Sequence, residues 1–173
     1  CAFDAPLYVL FSSGTTGLPK AIVHGHGGIT LEHLKSLGLQ MDLGPTDRFF
    51  WFSTTGWMMW NLLISGLGVG STIVMFDGDP GAPDLGALWR LAGELEVTSF
   101  GTSAPFLLEC RKRGLHPAAE ADLSRMRALG STGAPLPAEG FDWVYDEFDP
   151  HVQLGSVSGG TDVCAAFVGA APT

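Results

Sequence analysis

Charge is what this chain has little of. Asp, Glu, Lys and Arg make up 16 % of its 173 residues, where ordinary globular domains carry about 25 %. Nine Lys and Arg stand against eighteen Asp and Glu, a formal net charge of −9. No broad basic field is available, which argues against nucleic acid or an anionic membrane surface as a partner. Cysteine is also scarce. Cys1, Cys110 and Cys164 are odd in number and far apart, with no C-x-x-C. That excludes a disulfide framework or a sequence-local zinc site and points to reduced thiols in the cytoplasm. No signal peptide, internal repeat or low-complexity linker stands out. The chain starts at Cys1 without a methionine and stops at Thr173. Both ends read as cuts, so the expected neighbour of this apolar surface is the remainder of its own chain.

One uncharged run, residues 49–76, is long enough to span a bilayer. It is interrupted by Gly56, Gly66, Gly68 and Gly70 and by polar Ser53, Thr54, Thr55, Asn61 and Ser65. It therefore reads as strand (48–53), loop, helix, turn and strand (72–76). Further strands are expected at 7–12, 21–24, 97–101, 127–131, 152–157 and 165–168. Helices are expected at 28–40, 57–66, 84–95, 104–113 and 137–148. Asp84 suits an N-cap and Pro137 a first turn. Strands alternating with helices predict an α/β fold with mostly parallel sheets flanked by helices. Ligands of such sheets bind at the strands' carboxyl ends.

The most informative segment is Ser12-Ser13-Gly14-Thr15-Thr16-Gly17-Leu18-Pro19-Lys20. It follows the apolar run Leu7–Phe11 and precedes Ala21-Ile22-Val23-His24, so it reads as the tip of a hairpin. Its glycines let backbone N–H groups converge on an anion. Its hydroxyls add donors, and Lys20 adds a point charge for phosphate. A P-loop is excluded by spacing: Leu18-Pro19 separates Gly17 from Lys20, and Ala21 stands where a magnesium-binding hydroxyl is required.

This segment resembles the phosphate loop of the adenylate-forming acyl-CoA synthetase superfamily. The resemblance continues through His24-Gly25-His26-Gly27-Gly28, Phe50–Asn61, Gly130–Leu136 and Ser158–Cys164. Those later segments are similar to the acetoacetate-activating branch. It implies that residues 1–173 are the central part of the large AMP-binding (adenylation) domain, without the carboxy-terminal lid. The implied reaction uses ATP, Mg2+ and CoA as co-substrate. A carboxylate attacks the α-phosphorus of ATP, and the thiol of CoA then takes the acyl group.

The resemblance also assigns residues. Ser12, Ser13, Gly14, Thr15, Thr16, Gly17 and Lys20 would hold the β- and γ-phosphates. Gly133, Ala134 and Pro135 would form the adenine wall. Ser156 opens the second nucleotide segment, in which Thr161 would donate to the α-phosphate. Asp162, where a glutamate is usual, would hold magnesium; Thr161 and Asp162 are the expected catalytic residues. Trp57, Met58 and Met59 would line the acyl and pantetheine pocket. Gly159 replaces a bulky tryptophan and is expected to leave room for a longer acid. A ribose-binding aspartate and the lid's adenylation lysine are implied but lie outside these residues; Lys20 is not that lysine. Two alternatives stay open: a synthetase for another short or medium acid, and a noncatalytic nucleotide-binding module. His24 and His26 read as structural or capping residues.

Overall fold

The computed structural model describes residues 1–12 and 17–172. The chain opens with an antiparallel hairpin of β1 (Pro6–Ser12) and β2 (Lys20–Gly25), with Ser12 paired to Lys20. Exposure alternates along β1. Tyr8 and Leu10 are half-buried, while Leu7, Val9 and Phe11 face outward, the period-2 pattern of a strand with one covered face. The expected loop residues Ser13, Gly14, Thr15 and Thr16 lie outside the described residues.

Helix α1 (His26–Lys35) follows at once and continues into a π-helical turn at Ser36–Gln40. Next come β3 (Arg48–Trp51), α2 (Met58–Ser65), a 3-10 turn at Gly66–Val69, and β4 (Thr72–Val74). The uncharged run is thus cut into short elements. Among the described residues, no helix is long and apolar enough to cross a membrane.

Helix α3 (Ala87–Glu94), β5 (Ser99–Ser103), α4 (Ala104–Lys112), short α5 (Pro117–Glu120), β6 (Ala128–Thr132), α6 (Ala138–Glu147) and β7 (Gln153–Ser156) complete the central layers. Strands β4-β3-β5-β6-β7, in that order, form one five-stranded sheet, parallel throughout. Alternation along its strands builds two cores. Phe50, Phe100, Leu129 and Leu154 pack on one face with Leu88, Trp89, Leu107 and Val144. Phe49 and Trp51 pack on the other with Leu37, Met59 and Leu63. Trp89 stacks on Phe100 at 4.6 Å between ring centroids.

Three expectations are corrected. Asp84 is not the N-cap of α3; that place is taken by Gly86, and the Asp84 carboxylate accepts the Gly86 N–H at 2.9 Å. An aspartate turns its own following backbone in this way before a helix begins. The strand expected at 72–76 stops at Val74. The strand expected at 152–157 ends at Ser156. The chain then forms a hairpin of β8 (Ser158–Gly160) and β9 (Ala165–Val168). Paired glycines gave too little hydrophobic signal for β8 to be read as a strand.

Candidate active site

A row of residues crosses four adjacent strands in register: Trp51, Gly101, Gly130 and Gly155. The Trp51 indole lies over the second and third of these. A Cβ on Gly101 would come within 2.1 Å of the ring, and one on Gly130 within 2.6 Å. Glycine at both positions is therefore required by packing. Beyond this floor, at the carboxyl ends of β6 and β7, opens a cavity of about 680 Å3.

Three separate sequence segments meet on that cavity. Gly133, Ala134 and Pro135 border it after β6; Trp57, Met58 and Met59 border it at the start of α2. Ser156, Gly159 and Thr161 supply a third side. Gly133 has φ +87°, a conformation that favours glycine, and its Cβ direction faces the Trp57 ring at 3.8 Å. The Thr132 hydroxyl donates to the Val157 carbonyl at 2.7 Å, and the Val157 N–H donates to the Ser131 carbonyl at 2.7 Å. These bonds tie the segment after β6 to the segment after β7 across the strand ends.

Among the described residues, Ser12, Gly17, Lys20 and Asp162 do not border this cavity. Lys20 and Gly17 are exposed and Ser12 is half-buried, on the hairpin. Asp162 is exposed beside Thr161. The hairpin nevertheless touches the Thr161–Cys164 turn. His24 Nε2 is 3.1 Å from the Thr161 carbonyl, and the Tyr8 hydroxyl is 3.5 Å from Cys164 Sγ. His26, the first residue of α1, bonds elsewhere: its Nδ1 donates to the Ala5 carbonyl at 2.9 Å.

Gly159 lines the cavity, but the direction its Cβ would take is already filled. A Cβ built there would meet the Ala165 carbonyl oxygen at 2.3 Å and Ala166 Cα at 3.0 Å. The glycine is required because β9 backbone passes directly beside it. Its missing side chain does not open free space for a longer acid in that direction.

Among the described residues, no group of three or more His, Cys, Asp or Glu could hold a metal ion. Asp162 offers a single hard-oxygen ligand. That suits a magnesium ion only where phosphate oxygens and water complete the shell, the usual pattern for magnesium on a nucleotide. Cys110 and Cys164 are poorly placed to act as nucleophiles. Burial pushes Cys110 up to about 11 and raises Cys164 as well, keeping both protonated, whereas the reactive form is the thiolate.

Sequence reasoning missed His33, Ser36, Trp51 and Thr132, all of which border the cavity. A signal was present for part of this. Gly101-Thr102, Gly130-Ser131 and Gly155-Ser156 repeat a glycine–hydroxyl pair at three successive strands, as a flat floor requires.

This geometry, with a parallel sheet carrying glycine-rich segments at its carboxyl edge, is that of a nucleotide-handling α/β domain. The AMP-binding enzyme profile matches residues 2–173, and the chain belongs to that family. It is 51 % identical over 166 residues to the acetoacetyl-coenzyme A synthetase of Rhizobium meliloti (strain 1021), covering 96 % of this chain and 26 % of that protein. It is 43 % identical to the malonamoyl-CoA synthetase of Penicillium aethiopicum, covering 95 % of this chain and 25 % of that one. The solved acetoacetyl-CoA synthetase from Streptomyces lividans superposes with a TM-score of 0.95 at 58 % identity, covering all of this chain and 27 % of that one. The chain thus spans about a quarter of the length of these relatives.

Proposed function

We propose that the protein carrying this chain is an ATP-dependent acid–CoA ligase that converts acetoacetate, ATP and CoA to acetoacetyl-CoA, AMP and pyrophosphate. The observation that carries this reading is the meeting of the 57–59, 133–135 and 156–161 segments on one cavity, together with the names of the relatives. The acid's carboxylate attacks the α-phosphorus and pyrophosphate leaves. The CoA thiol then attacks the acyl carbon and AMP leaves. Neither half needs a protein nucleophile; both need charge on phosphate oxygens to be met by fixed donors.

Ser12 to Gly17 and Lys20 grip the β- and γ-phosphates in this reading. Gly133, Ala134 and Pro135 offer flat backbone to the adenine. Thr161 donates to the α-phosphate, and Asp162 is the residue that would hold magnesium. The ion's contribution is to neutralise phosphate charge. Trp57, Met58 and Met59 shape the acyl side. The product serves lipid metabolism, and the cytoplasm is the compartment that suits its reduced cysteines.

The Penicillium relative favours a second substrate reading. Malonamate and acetoacetate both carry a carbonyl at C3 and differ by an amino group in place of a methyl, so one pocket shape could accept either. The test is ATP–pyrophosphate exchange by the full-length protein with acetoacetate, malonamate, propionate and acetate. Acetoacetate is expected to have the highest kcat/KM. Preference for another acid would reassign the substrate, and no exchange with any of them would leave the noncatalytic reading standing.

A further inference from the structure

The Thr161–Cys164 turn has little support of its own. Its internal backbone bond, from Cys164 N–H to the Thr161 carbonyl, is long at 3.3 Å. Cys164 sits at φ +50°, the left-handed region that ordinary side chains disfavour. A segment so placed is held from outside or not at all.

Two histidines from different elements hold it. His24 on β2 reaches the Thr161 carbonyl at 3.1 Å. His33 on α1 reaches the Cys164 carbonyl at 2.9 Å. A carbonyl oxygen only accepts, so Nε2 carries the hydrogen in both rings. The far side of His33 is fixed too: its Nδ1 lies 2.7 Å from the Ser65 hydroxyl on α2. Burial lowers the His33 pKa, against the opposing pull of the Cys164 carbonyl and Glu32. The neutral ring donates to Cys164 through Nε2, while the single hydrogen of the Ser65 hydroxyl is shared between Nδ1 and the Asn61 carbonyl 2.9 Å away. His33 is 2 % exposed and His24 9 %, so water does not readily replace either bond.

We infer that His24 and His33 are positioning residues that clamp the Thr161–Cys164 turn from both ends, setting where Thr161 and Asp162 point. They act through the turn and carry no proton to or from the reacting atoms. The inference rests on the reading of Thr161 given above.

The experiment is ATP–pyrophosphate exchange by the full-length protein, with kcat and KM for ATP separated and thermal midpoints recorded. His24→Phe and His33→Phe keep a ring and remove the donor. His24→Gln and His33→Gln keep an N–H near the Nε2 position. A donor displaced by about 1 Å can cost about a hundredfold in rate. The phenylalanine variants should lose about tenfold or more in kcat on that basis, with KM for ATP little changed. The glutamine variants should recover most of it. Should a phenylalanine variant fail to fold, the asparagine variant replaces it: the same amide, one methylene too short to reach.

Parent-like kcat in the donor-less variants, at temperatures well below their midpoints, would overturn the clamp. Equal losses in the glutamine and donor-less variants would do the same. Thr161→Val separates the two readings. If it impairs exchange while the donor-less histidine variants do not, only the clamp fails. If Thr161→Val leaves exchange intact, the reading of the turn fails and the clamp fails with it.

Discussion

The Cβ direction of Gly159 points at the carbonyl oxygen of Ala165, 2.3 Å from where that carbon would lie. The obstacle is strand backbone, not the movable end of a side chain. Any side chain at 159 must push β9 away from β8 and disturb the turn that follows at Thr161. Overpacking of this kind typically costs about 1–3 kcal/mol. Gly159→Ala and Gly159→Trp are both expected to lower turnover of acetoacetate and of acetate together. Specificity constants for the two acids check this. A well-folded Gly159→Trp variant whose ratio moves toward acetate would restore the pocket-opening role.

The phosphate-gripping role proposed for Thr15 and Thr16 rests on their place in the Ser12–Lys20 segment. Valine at both keeps the shape and deletes the hydroxyls. Each hydrogen bond to a charged phosphate contributes roughly 1.5–3 kcal/mol. Pyrophosphate exchange in the double variant should fall by about tenfold or more on that scale, with the thermal midpoint retained. Unchanged exchange would remove both hydroxyls from the site.

Asp162→Asn keeps volume and loses the hard anionic oxygen. With no group of three or more His, Cys, Asp or Glu able to hold a metal among the described residues, the loss should show directly. The magnesium concentration for half-maximal activity should rise. A titration curve superimposable on the parent's would show that Asp162 is not a ligand.

Asp47 anchors the opposite, amino-terminal edge of the sheet. Its carboxylate accepts the Thr98 hydroxyl at 2.7 Å, Arg127 Nε at 3.0 Å and the Gly44 N–H at 2.9 Å. Burial pushes its pKa up, but these donors and the Arg127 charge outweigh that and hold it below the usual range. A depressed folded pKa gives stability that is fully present above the unfolded value of about 3.9 and is lost as pH falls through the folded value. Asp47→Asn should therefore lower denaturant stability at pH 7, with the gap to the parent narrowing below about pH 4. A gap that does not change with pH would mean the carboxylate's charge contributes nothing.

Gly130 and Trp51 offer a packing test of the cavity floor. Gly130→Ala places a methyl within 2.6 Å of the indole and should destabilise by about 1–3 kcal/mol. Trp51→Phe shortens the ring system at that point. The double variant should be more stable than the sum of the two single effects implies, the signature of residues in contact. Strict additivity in denaturant melts would contradict the contact.

The sequence by itself determined the class of fold and the chemistry of the segments. Alternating apolar strands and helical stretches dictate a covered parallel sheet, because each face must be buried. The hydroxyl–glycine–lysine run between two strands has all its donors within nine residues, so the anion-binding role proposed for it was legible locally. Placement across the chain was decided only by the tertiary structure. Gly159 read as space because a sequence shows a missing side chain but not the Ala165 carbonyl that occupies its place. His24 read as structural from its position on a strand. Its partner, the Thr161 carbonyl, is 137 residues away along the chain, and His33 gave no local sign of gripping Cys164. Trp51, Gly101, Gly130 and Gly155 align only because four strands pair in one register. Backbone carbonyls and strand registers carry no mark in the order of side chains, so contacts made through them appear only when the chain has closed on itself.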